Sequence, residues 1–118
     1  MLPSELIEHA RGFLDAPGAL RWPRLVAILT RQAIETQLEH LWMAVAPGMQ
    51  DSSTRAQLIA LCEYVPRNLA GEVAWAWDRL SEVCHHHVYE LAPTEAELRD
   101  WLDRADRFTT EVREHATR

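Results

Sequence analysis

Three consecutive histidines, His85, His86 and His87, follow Cys84 in the segment WAWDRLSEVCHHHVYEL. Histidine titrates near neutral pH, so such a run could bind a metal ion or take part in acid–base catalysis. Arg79 precedes the run by six residues, and a guanidinium group can hold a phosphate or carboxylate through two hydrogen bonds. The chemistry therefore depends on which of these side chains share a surface.

Helical spacing predicts that the three histidines point in different directions. Neighbouring residues of an α-helix are about 100° apart, so three of them spread over about 200° and do not converge on one ion. On a helix predicted from Leu69 to Leu91, His87 falls among apolar residues, where we expect a buried side chain with a hydrogen-bond partner. Cys84 shares that face and is expected to be a small core residue.

The opposite face of this helix has an unusual composition for a solvent-exposed surface. It combines histidines and aromatic residues with charged ones: Trp75, Asp78, Arg79, Glu82, His85, His86 and Tyr89. One interpretation is a second packing surface, covered by another helix of the chain or by a partner. The other is a functional face. Arg79 and His86 are then about 10 Å apart along the helix and on nearly the same side.

A metal site is a further hypothesis from the same residues. Glu82 and His85 form a Glu-x-x-His step, and di-iron helical bundles combine two such steps with further glutamates. Glu35, Glu39 and His40 on an earlier helix are the additional donors. The sequence has a single step, so the leading expectation includes no metal and no other cofactor.

Proline and glycine divide the chain into five predicted helices. Ser4 is the expected N-cap of the first helix, and the second runs from Pro23 to Val45. Asp51 or Ser52 is expected to cap a short third helix that breaks at Pro66. The fourth is the histidine-bearing helix described above.

The fifth predicted helix begins with the segment TEAE. In this segment Thr94 and Glu97 have the spacing of a capping box. Apolar residues recur at helical spacing along the helices, and no segment alternates with a period of two. The sequence therefore predicts an all-α fold, an antiparallel bundle of about five helices in a single domain, residues 1–118.

Composition limits the classes of function. The chain has 118 residues and a net charge of −6, and all twelve basic residues are arginine. An acidic chain does not present a broad basic surface for wrapping nucleic acid, although a local site remains compatible. Cys62 and Cys84 are too few for a disulfide framework. With neither a signal peptide nor a membrane span in the sequence, we expect a cytoplasmic protein without membrane contact.

The segment AWDRLSEVCHHHVYELAPTEAELRDWL resembles a group of small bacterial helical proteins in the HEPN superfamily. RQAIETQLEHLW (31–42) and STRAQL (53–58) resemble earlier helices of that group, and the resemblance covers roughly residues 20–110. It implies a bundle with four core helices in two hairpins. Many members are metal-independent ribonucleases with an arginine and, four to six residues further on, a histidine. Five residues separate Arg79 from His85 and six separate it from His86, so both histidines fit.

The resemblance implies attack of a ribose 2′-hydroxyl on the adjacent phosphate. His85 or His86 would be the general acid or base, and Arg79 would hold the phosphate. The supporting or binding residues of this prediction are Glu35, Arg31, Glu82, Trp75 and Tyr89.

Two protomers bring their motifs together in such enzymes, so the resemblance also implies a homodimer through the outer face of the fourth helix. RNA is the expected substrate or ligand, and a defence or toxin–antitoxin setting is the expected context. The alternative is a non-catalytic helical module that dimerises or binds a protein partner through the Trp75–Tyr89 face.

Overall fold

A computed structural model describes residues 1–16, 23–85 and 92–116, with side chains as far as Arg113. Within these ranges the chain forms helices and no strands, which confirms the predicted all-α class. The helices are α1 (Pro3–Asp15), α2 (Pro23–Val45), α3 (Thr54–Ala60), α4 (Arg67–Cys84) and α5 (Glu95–Ala116), with short 3₁₀ turns at Met49–Asp51 and Leu61–Glu63.

The four long helices enclose one hydrophobic core. α2 packs against α1, α4 and α5, whereas the short α3 packs against α4. The largest fully buried side chains come from α2, α4, α5 and the turn after α3, and include Trp42, Phe108, Ile34, Leu38, Leu61 and Leu80. None of the helices in the described ranges is long and apolar enough to cross a membrane.

Cross-helix contacts show that neighbouring helices run antiparallel. Arg11 of α1 pairs with Asp106 of α5, and one turn further along α1 Asp15 pairs with Arg99. Residue numbers therefore rise along α1 while they fall along α5. α4 and α5 are related in the same way, because Glu72 contacts Arg107 while Trp75 contacts Trp101.

Local signals predicted several helix ends. α2 spans the predicted residues, Pro23–Val45. The capping box before α5 is also confirmed: the Thr94 N–H donates to Glu97 Oε1 at 3.0 Å, and the Glu97 N–H donates to Thr94 Oγ1 at 3.1 Å. Thr94 and Glu97 are only three residues apart, so this cap forms from local contacts and could be predicted from the sequence.

Two predicted caps were wrong. Leu2 and not Ser4 caps α1, because Pro3 suits the first helical position and Glu5 accepts the Leu2 N–H at 3.4 Å. Ser53, and neither Asp51 nor Ser52, caps α3 by accepting the Ala56 N–H at 3.2 Å. Asp51 instead belongs to the 3₁₀ turn Met49–Asp51, which follows Gly48.

The predicted end of α4 was also wrong. The helix stops at Cys84 rather than Leu91, with His85 as the C-cap (φ −103°, ψ 17°). The His85 N–H donates to both Ser81 O at 3.1 Å and Glu82 O at 3.2 Å, so the last turn tightens. The helical-wheel placement of later residues, including the predicted burial of His87, lies outside the described residues.

A buried hydrogen-bond network holds α3 beside the bundle. The Trp42 indole N–H donates to Gln57 Oε1 at 2.9 Å. The Gln57 amide nitrogen in turn donates to the carbonyl oxygens of Ser52 at 2.8 Å and Gln50 at 3.3 Å. Gln57 therefore links α2, the turn after it and α3, and this link sets where α3 lies against α4.

Candidate functional site

Arg79 lies on α4 between two carboxylates of its own helix. Its Nη2 donates to Asp78 Oδ2 at 3.0 Å and to Glu82 Oε1 at 2.9 Å, and its side chain is 35% exposed. Asp78 also faces Arg55 of α3 at 3.5 Å. Arg79 Nε is buried and has no hydrogen-bond partner. The guanidinium is thus held in one orientation while part of it remains accessible to a ligand.

His85 lies at the carboxyl end of α4 and is exposed. Its imidazole is open to solvent and to a bound molecule. His86 and Tyr89, the two other predicted site residues from this segment, lie outside the described residues. Of the two histidines predicted for the site, His85 is therefore the one whose position the structure describes.

Arg31 and Glu35 lie at the contact between α2 and α4. The Trp77 indole N–H donates to Glu35 Oε1 at 3.2 Å, and Arg31 Nε is 3.7 Å from the same oxygen. Trp77 is two residues from Arg79, hence about 200° around the helix. No hydrogen bond or ion pair within the described ranges joins Arg79 to Arg31 or Glu35. The predicted supporting pair therefore lies on a different side of α4 from Arg79.

Trp75 belongs in part to the contact between α4 and α5. The Arg104 guanidinium carbon lies 4.9 Å from the centroid of its ring, and Trp101 meets it edge-to-face at 6.4 Å. The side chain is nevertheless 46% exposed. This arrangement corresponds to a packing surface provided by the same chain, with an aromatic edge left for a further contact.

Two arginines of α2 lie close to the carboxyl end of α4. Burial raises the pKa of the Cys84 thiol, and the positive charges of Arg31 and Arg24 offset part of this rise. The negative charge of Glu35 acts on the same thiol and raises its pKa, so both signs of charge are felt at Cys84. The sequence does not point to Arg24, because nothing in the local pattern connects residues 24 and 84.

The two cysteines are expected to differ in reactivity. Cys62 is exposed, whereas Cys84 is half-buried and its raised pKa leaves less thiolate at a given pH. We expect iodoacetamide to label Cys62 first at mildly alkaline pH, and labelling of Cys84 to accelerate only as the pH rises further. Arg31→Ala should slow the labelling of Cys84 further, because it removes a positive charge that stabilises the thiolate.

Mass spectrometry of the two cysteine peptides against time and pH measures both rates. Arg107→Ala is the matched control, since Arg107 pairs with Glu72 on the α5 side of α4. Labelling of Cys84 at the rate of Cys62 in the folded protein would contradict the expected order.

The described residues do not assemble a metal-binding cluster. No group of three histidine, cysteine, aspartate or glutamate side chains comes together within them. Glu82 is bonded to Arg79, and Glu35 accepts from Trp77. Glu82 and Glu35, two carboxylates of the suggested metal site, therefore already have hydrogen-bond partners in the part of the chain that is described.

Comparison of the chain with family models, with curated proteins and with solved structures finds no match.

Proposed function

We propose that this protein is an HEPN-like ribonuclease that binds RNA and cleaves it without a metal ion. The observation that carries the proposal is the presence of an oriented arginine and an exposed histidine at one end of α4. A partly accessible Arg79 and an exposed His85 lie in or next to its last two turns. A guanidinium that is partly accessible and an imidazole that is exposed suit a phosphate group as ligand.

The reaction that these residues suit is an internal transfer at phosphorus. An imidazole, from His85 or His86, removes the proton of a ribose 2′-hydroxyl, and that oxygen forms a bond to the adjacent phosphorus. The bond from phosphorus to the 5′-oxygen breaks, and a protonated imidazole supplies the proton to this leaving oxygen. The products are a 2′,3′-cyclic phosphate and a free 5′-hydroxyl.

Arg79 would stabilise the charge that develops on the phosphate oxygens. Its orientation is already set by Asp78 and Glu82, so little rearrangement accompanies the reaction. The two carboxylates contact one nitrogen of the group, Nη2, which leaves Nη1 available for a phosphate oxygen.

A homodimer through the outer face of α4 is part of the proposal. A second copy would bring another Arg79 and His85 to the same interface and would cover the exposed edge of Trp75. Two imidazoles are then available for the two proton transfers. A cytoplasmic defence or toxin–antitoxin role is the setting that such an RNA-cleaving dimer suits.

Removal of the histidines tests the proposal. We expect wild-type protein to cut a mixed-sequence RNA in EDTA, and His85→Ala/His86→Ala to slow cutting by about 10²–10⁴-fold, the usual contribution of general acid–base catalysis. His9→Ala is the matched control, because His9 is an exposed histidine on α1. Equal cutting by the double variant and by His9→Ala would contradict the assignment.

One observation favours a second candidate, a non-catalytic module that dimerises or binds a partner. Arg79 already has two carboxylate partners, which compete with a phosphate for the guanidinium. Folded wild-type protein that dimerises in sedimentation experiments and leaves RNA intact would favour this second function.

A further inference from the structure

An apolar groove of about 620 Å³ lies between α3 and α4. Small residues of α4, Ala70, Gly71 and Ala74, line it together with Trp77, and Ile59 of α3 forms part of the facing wall. Ile59 is 72% exposed, although it is a large aliphatic residue. The groove therefore leaves apolar surface uncovered beside a helix whose other faces pack against α2 and α5.

The dimensions of the groove fit two turns of a helix. Ala70 and Trp77 are seven residues apart, or about 10 Å along α4. A helix lying along this line would place apolar side chains at positions i, i+4 and i+7 over the same length. The small side chains of Gly71 and Ala74 permit close approach of the two helix axes.

Charged residues at the rim indicate the sign of the partner. Arg55 and Arg67 both line the groove and are exposed. Arg67 has no ion pair with any residue in the described ranges. Asp78, the acidic residue of the lining, is engaged by Arg55 and Arg79. In an acidic chain, this rim is complementary to negative charge.

We propose that the groove between α3 and α4 binds an acidic amphipathic helix of a partner protein. RNA suits the surface less well, because Arg55 lies over the Trp77 ring, 6.0 Å from its centroid, and Glu35 takes its indole N–H. A second copy of this chain suits it less well too, since the apolar faces of its long described helices are buried in their own core. The proposal does not rest on RNA cleavage.

Gly71 allows the groove to be filled without disturbing the fold. A Cβ atom built at this position meets no atom within 4 Å. Gly71→Leu would therefore extend a side chain into the groove, and leucine also favours a helix more than glycine does. Gly12→Leu is the matched control, because Gly12 is an exposed helical glycine on α1 with equally open space.

Two synthetic peptides test the partner chemistry. Both carry leucines at i, i+4 and i+7; one has glutamates and the other lysines at exposed positions. Fluorescence anisotropy with the full-length protein should show binding of the acidic peptide at least about tenfold tighter than the basic one, a difference of about 1.4 kcal/mol. The acidic peptide should also slow alkylation of Cys62, which lines the groove.

The variants should separate the groove from the rest of the surface. We expect Gly71→Leu to weaken binding of the acidic peptide at least about tenfold, Gly12→Leu to leave it unchanged, and Arg67→Glu to reduce the preference for the acidic peptide. Equal binding of the two peptides, no binding of either, or no effect of Gly71→Leu would overturn the proposal. Loss of self-association or of RNA binding in Gly71→Leu, with peptide binding intact, would also overturn it.

Discussion

Arg79→Ala should lower the rate of RNA cleavage by about 10²–10³-fold, the usual effect of removing one preorganised donor from a developing oxyanion. The side chain is 35% exposed and is held by Asp78 and Glu82, so the guanidinium is oriented before the RNA arrives. Single-turnover cleavage in EDTA, with the substrate limiting, measures this effect without interference from product release.

Arg99→Ala is a close match for this variant. Arg99 is 37% exposed and is also held by two carboxylates, Asp15 and Glu95, but it lies at the contact between α1 and α5. We expect the control to cleave RNA like the wild type. Similar activities of Arg79→Ala and Arg99→Ala would contradict a role for Arg79 in the chemistry.

The loss in Arg79→Ala should not come from unfolding. Ion pairs between partly exposed side chains contribute about 0–1 kcal/mol to stability. Thermal unfolding of both arginine variants should therefore remain close to that of the wild type. Arg79→Lys should recover part of the binding but little of the rate, since an ammonium group keeps the charge and loses the planar fork.

Trp42→Ala should lower the free energy of unfolding by about 3–5 kcal/mol. Trp42 is the largest fully buried side chain, so its removal leaves a cavity and leaves the Gln57 side-chain oxygen without its hydrogen-bond donor. Such a loss is a large part of the about 5–15 kcal/mol that stabilises a typical domain. Urea unfolding followed by circular dichroism measures it.

Two further tryptophan variants separate the causes. Trp42→Phe keeps an aromatic ring and removes the N–H, so the unpaired Gln57 oxygen should account for about 1–3 kcal/mol of its loss. Trp75→Ala should cost less, about 1 kcal/mol, because this ring is 46% exposed and contributes mainly its contacts with Arg104 and Trp101. Equal losses in Trp42→Ala and Trp75→Ala would contradict the placement of Trp42 at the centre of the core.

The parts of the fold that depend on neighbouring residues could be predicted from the sequence. α2 and the Thr94–Glu97 capping box follow from local periodicity and from groups three residues apart. The cap of α1 could not be chosen by composition alone, since Pro3 outcompetes Ser4 for the start of the helix. The end of α4 was not predicted, because apolar spacing continues past Cys84 while the hydrogen bonds of His85 close the last turn.

The contacts of the candidate site also divide into local ones, which the sequence predicts, and contacts between helices, which it does not. The pairing of Arg79 with Glu82 is an i, i+3 contact on one helix, and the helical wheel placed both on one face. The contacts of Arg55 with Asp78 and of Trp77 with Glu35 join residues at least twenty positions apart. Such contacts depend on how the helices pack, and side-chain spacing within one helix does not predict them.

One measurement tests RNA cleavage at the end of α4 most directly. Wild-type protein is incubated in EDTA with an RNA oligonucleotide and, in parallel, with the same sequence lacking every 2′-hydroxyl. We expect the RNA to be cut to fragments ending in 2′,3′-cyclic phosphate and the 2′-deoxy strand to remain intact. Cutting of both strands, cutting that requires an added divalent metal, or an intact RNA with folded protein would contradict metal-independent attack by the 2′-hydroxyl.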